Sequence, residues 1–131
     1  QIKAMKQVAG SLKIELANYT ELQAFSQFGS DLDKETKKIL KHGAILTEML
    51  KQDQYSPYPC SRQVIEIYAT KSGYFDEMDP KKLLGVLNDL YNYISTSYRE
   101  VVNALDKSKE LTAQNETKLK EGIERFIKTI R

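Results

Sequence analysis

The chain has 131 residues, and its 20 Lys and Arg nearly balance its 18 Asp and Glu, for a formal net charge of +2. That balance argues against nucleic acid or an anionic membrane as a partner. One cysteine, Cys60, excludes an internal disulfide and a cysteine-built metal site.

The length fits a single domain, residues 1–131. No apolar run approaches the ~18 residues of a membrane span, so no direct membrane insertion is expected. The chain opens inside a helical pattern, QIKAMKQVAG, without an initiator methionine or a signal-peptide pattern. A piece of a longer chain is the expectation.

In the first segment Ile2, Met5, Ala9, Leu12, Leu16 and Tyr19 recur in steps of three and four. That period marks one apolar stripe of a helix. Gly10 interrupts it at a cost of roughly 1 kcal/mol relative to Ala, which points to close packing or a bend. Leu22, Phe25 and Phe28 carry the stripe to Gly29, a helix stop. Ser30, Asp31 or Asp33 can cap a second helix, and Asp33 and Glu35 suit its positive end. That helix spans about Lys34 to Lys51, with Ile39, Leu40, Ile45, Leu46, Met49 and Leu50 inward. The two helices and their acidic link make an αα-hairpin.

SPYPCS, with two prolines, is a break. Val64 to Ala69 marks a short helix, and KSGYFDEMDP a connector. Asp79-Pro80 is a start signal for a helix carrying Leu83, Leu84, Leu87, Leu90, Tyr91 and Ile94. Val101, Val102 and Leu105 mark another helix. Thr112 caps the last, which bears Leu119, Ile123, Phe126, Ile127 and Ile130. The fold class is all-α, a bundle of about six helices opening with the αα-hairpin.

Catalytic patterns are absent. There is no GxxxxGK[ST], HExxH or CxxC. His42, the one histidine, lies on a charged helical stretch and is expected to be solvated. Cys60 has only Arg62 close by and no base to activate it. Asp31, Asp33 and Glu35 are accounted for as helix-capping residues, without the oxygen count and central glycine of a calcium loop. Neither a catalytic residue nor a metal site is expected, and on residues alone the chain reads as a helical interaction module.

Several segments taken in order carry a resemblance: IKAMKQVAGSLKIELANYTEL, AFSQFGSDLD, LKQDQYSP, IYATKSGYFD and TKLKEGIERF. They resemble the C-terminal region of the alpha subunit of F-type ATP synthase. The resemblance is most specific through Pro57 and loosest between Lys81 and Thr117.

It implies the helical domain of a non-catalytic, regulatory subunit, without that family's β-barrel and nucleotide-binding domains. In the family, three alpha and three beta subunits alternate around a rotating gamma subunit, and ion flow is coupled to ATP synthesis. The implied partners are beta, gamma and nucleotide. The implied location is peripheral to an energy-coupling membrane, on a bacterial cytoplasmic face or in a mitochondrial or plastid inner compartment. ATP or ADP with Mg²⁺ belongs to the parent subunit. The parent complex is an enzyme, but this segment has neither the P-loop nor the family's catalytic arginine.

The resemblance also assigns residues. It sets Gln52 and Gln54 beside the adenine of the non-catalytic nucleotide. Were the chain extended after Lys51, positions i and i+2 would share a side, and an amide offers both donor and acceptor to the adenine edge. Asp53 stands where a small or neutral residue is expected. Asp31, Asp33 and Glu35, at the hairpin tip, and Glu21 become candidate contacts with gamma. Surfaces built to touch neighbours predict an exposed apolar patch beside the first helix. The alternative is a free-standing helical protein-interaction module.

Overall fold

The computed structural model describes residues 3–9, 12–26, 34–55 and 60–130, with the backbone alone at 8, 9, 25, 26 and 52–55. Among these residues the chain forms seven α-helices, one 3₁₀ turn and no strand. The helices are α1 (Lys3–Ala9), α2 (Leu12–Ser26), α3 (Lys34–Tyr55), α4 (Cys60–Lys71), α5 (Leu83–Ser97), α6 (Arg99–Ser108) and α7 (Ala113–Ile130). The 3₁₀ turn, Pro80–Lys82, leads into α5. The all-α bundle is the architecture that the apolar periodicity predicts. The helix count exceeds six because the first apolar stripe is divided between α1 and α2.

The two halves of that stripe take different neighbours. α1 packs on α4 and on the α6–α7 link, whereas α2 packs on α3. Lys109 adopts a left-handed conformation, φ 59°, and its carbonyl accepts the Ala4 N–H at 3.0 Å. Gln7 then closes the same joint with both ends of its amide. Its Nε2 donates to the Leu111 carbonyl and its Oε1 accepts the Leu111 N–H, each at 3.2 Å.

α4 is the central helix and contacts α1, α3, α5, α6 and α7. Its buried set, Ser61, Val64, Ile65, Glu66, Ile67, Ala69 and Thr70, goes round the helix instead of forming one stripe, as a helix enclosed by neighbours requires. Leu83, Leu87, Leu90 and Ile94 are buried at the steps of one α5 face. Leu119, Ile123, Phe126 and Ile127 do the same on α7, while Ile130 at its end is 44% exposed.

The expected caps form. The Asp79 side chain accepts the Lys81 N–H at 3.0 Å, with Pro80 at the first position of the turn. Thr112 Oγ1 accepts the Asn115 N–H at 3.2 Å ahead of α7. Each satisfies a helix-end donor that would otherwise lack an intrahelical partner.

α2 and α3 run antiparallel: Glu15 reaches His42 and Leu22 shares a groove with Ile39. Gly43 lies against the Tyr19 ring so closely that a methyl group there would overlap it. The glycine therefore sets how near the two helices come. Ile45, Leu46 and Met49 of α3 are fully buried, as expected. Ile39 departs from its expected inward position and is 41% exposed. It lines an open groove with Asn18, Glu21 and Leu22 of α2.

Candidate functional site

The candidate residues all lie on the α2–α3 hairpin or its link. Glu21 is exposed on α2 and lines a groove of about 420 Å³ with Asn18, Leu22 and Ile39. Glu35 is exposed in the first turn of α3 and lines a separate groove of about 390 Å³. The two share no lining residue, so Glu21 and Glu35 are not brought into one cluster. Asp31 and Asp33 lie outside the described residues.

Gln52 and Gln54 fall in the last turns of α3, which runs to Tyr55. Their side chains, and that of Asp53, lie outside the described residues. The helical backbone corrects the geometry expected of the pair. At about 100° per residue, positions i and i+2 on a helix are separated by about 200° and do not share a side. Nothing in LKQDQY stops a helix, and α3 runs through it to Tyr55.

The second groove is strongly cationic. Lys34, Lys37, Lys38 and Lys41 line it together with Glu35 and Glu77. The Lys41 ammonium is 2.7 Å from Glu77 Oε2.

His42 is the residue that sequence reasoning misjudged. Its side chain is 21% exposed and is held between two carboxylates, not solvated. Nδ1 lies 2.7 Å from Asp76 Oδ1, and Nε2 lies 3.5 Å from Glu15 Oε2. The three residues come from α3, the α4–α5 connector and α2. Burial raises the Asp76 carboxyl above its usual range, and the hydrogen bond with His42 opposes that rise. A spacing of 34 residues between His42 and Asp76 leaves no local signal from which the pair could be read.

A second buried polar group joins α4 to α5. Arg62 Nε donates to Glu66 Oε1 at 3.0 Å, and both side chains are largely enclosed. The Arg62 guanidinium also donates to Asn88 Oδ1 and lies 5.4 Å from the centre of the Tyr91 ring.

Ile14, on α2, is 64% exposed, and with Ile39 it leaves apolar surface along the hairpin. No group of three or more His, Cys, Asp or Glu among the described residues fits a metal ion. Among the same residues no helix is long and apolar enough to cross a membrane.

Among the described residues the chain is an all-α bundle whose candidate polar residues lie on the α2–α3 hairpin. Comparison with known proteins is specific. The family model for the ATP synthase alpha/beta chain, C terminal domain, matches residues 1–126. The chain belongs to this family.

The chain is 48% identical over 126 residues to ATP synthase subunit alpha of Clostridium botulinum (strain Hall), covering 96% of this chain and 25% of that protein. The same subunit of C. botulinum (strain Langeland) is 47% identical over 126 residues, with the same coverage. That of Clostridium acetobutylicum is 44% identical over 128 residues, covering 98% of this chain and 25% of the relative. The chain thus spans about a quarter of the length of these relatives.

Proposed function

We propose that this chain serves as the C-terminal helical domain of an ATP synthase alpha subunit. The observation that carries the reading is the 48% identity across 96% of the chain. The all-α bundle supports it. In this role the domain is a mechanical part of the complex. It holds the α2–α3 hairpin toward the rotating gamma subunit and packs beside beta subunits. The complex is peripheral to an energy-coupling membrane, and its ATP synthesis or hydrolysis is linked to ion transport.

Glu21 and Glu35, with Asp31 and Asp33 of the link, meet gamma in this reading. Exposed ion pairs contribute only about 0–1 kcal/mol each, which suits contacts that break and re-form as a rotor turns. Gln52 and Gln54 serve the adenine end of the non-catalytic nucleotide site. The phosphates and Mg²⁺ are held by other parts of the alpha subunit, as this chain has no GxxxxGK[ST].

Titration of the isolated chain with Mg-ATP, together with a phosphate-release assay, tests this division of labour. Neither tight binding nor release is expected. Tight binding abolished by Gln52→Ala with Gln54→Ala would show that the segment recognises nucleotide unaided. Phosphate release would overturn the reading.

A further inference from the structure

We propose that the first two turns of α3 form a docking surface for an acidic helical segment of another protein. Lys34, Lys37, Lys38 and Lys41 are all exposed. At about 100° per residue they fall within an arc of about 100° of the helix. They form a ridge and not a scatter of surface charge. Ile45 continues the same line one turn further along, and there it is fully buried. The face that packs into the core at Ile45 is therefore uncovered at Lys34–Lys41, where it borders the groove closed by Glu77. An element laid in that groove would extend the bundle by one position.

The chemistry of the occupant follows from the charges. Four lysines outnumber the two glutamates of the groove, Glu35 and Glu77. Among the described residues Lys41 alone of the four makes an ion pair, with Glu77 at 2.7 Å. The ridge begins at the N-terminal end of a 22-residue helix, whose dipole adds positive potential there. Lys34 to Lys41 spans about 10 Å along the axis at 1.5 Å per residue. A helix with carboxylates at i, i+3, i+4 and i+7 offers the matching length and charge. Such a partner would also compete with Glu77 for Lys41. The proposal stands on this ridge and does not depend on the role in ATP synthase.

Two synthetic helical peptides of identical composition test it, one with its glutamates on a single face and one with them spread around the helix. Binding to the intact chain is read by fluorescence anisotropy at low and high salt. The one-face peptide is expected to bind at least about ten-fold tighter than its isomer and to weaken with salt. Lys34→Glu with Lys38→Glu, both exposed changes that leave the core intact, is expected to abolish that preference. Equal affinity for the two peptides would overturn the proposal. So would tighter binding of phosphatidylglycerol vesicles or inorganic triphosphate than of the one-face peptide, since that would assign the ridge to a lipid surface or a phosphate.

Discussion

The His42 imidazole and the Asp76 carboxylate meet at 2.7 Å and tie α3 to the connector between α4 and α5. Burial raises the Asp76 carboxyl above its ordinary 3.8, and His42 restrains that rise. A carboxyl whose folded value exceeds its unfolded value binds its proton more tightly in the native state. Its contribution to stability is therefore present at low pH and falls as pH rises from 3.8 through the folded value. In His42→Ala the restraint is gone, so Asp76 is expected to titrate higher and this loss to extend to higher pH. Carbon-13 NMR of the Asp76 carboxyl, with urea unfolding across the same range, checks both. An Asp76 titration unmoved in the variant would contradict the assignment.

Three glycines separate space from propensity. Gly43→Ala is expected to destabilise by about 1–3 kcal/mol, because its methyl group overlaps Tyr19 and forces α2 away from α3. Gly122→Ala meets the terminal Ile94 Cδ1, which can turn aside, at 2.7 Å and the Tyr98 ring at 3.0 Å, and a smaller loss than at Gly43 is expected. Gly85, inside α5, has nothing within 4 Å of an added Cβ. Gly85→Ala should therefore stabilise, by about 0.5–1 kcal/mol, through helix propensity alone. Thermal unfolding of the three variants gives the signs directly.

Removing Arg62 takes from Glu66, whose side chain is 2% exposed, the guanidinium that donates to it at 3.0 Å. Arg62→Ala is expected to cost about 3–5 kcal/mol, the range for breaking a buried pair from one side. Arg62→Met combined with Glu66→Leu, which removes both charges and keeps volume, should cost much less. Denaturant midpoints of the single and double variants decide this. A double variant as unstable as Arg62→Ala would mean that packing, and not the broken ion pair, sets the cost.

The bundle was legible in the sequence wherever the signal was local. Leu83, Leu87, Leu90 and Ile94 announce a face by spacing, and Asp79-Pro80 and Thr112 announce helix starts by capping chemistry. Gly10, read as close packing or a bend within one helix, lies outside the described residues; the stripe it interrupts is divided between α1 and α2, which take separate neighbours. Three features were not legible. Ile39 has the right spacing for the core, but it lines an open groove with Asn18, Glu21 and Leu22 of α2 and is 41% exposed. His42 depends on a carboxylate 34 residues away. The end of α3 was set four residues early, because Gln52 and Asp53 do not stop a helix, and α3 runs to Tyr55. Of the candidate site, Glu21 and Glu35 are at exposed positions. Gln52 and Gln54 were named from resemblance, and spacing alone could not assign them.

Replacing the corresponding region of C. botulinum ATP synthase subunit alpha with this chain tests the central claim most directly. The measurement is assembly of the hybrid subunit with beta and gamma, followed by ATP turnover. The account predicts an assembled, active complex in which Gln52→Ala or Gln54→Ala weakens nucleotide retention at the non-catalytic site without abolishing turnover. A hybrid subunit that folds but does not enter the complex would contradict it.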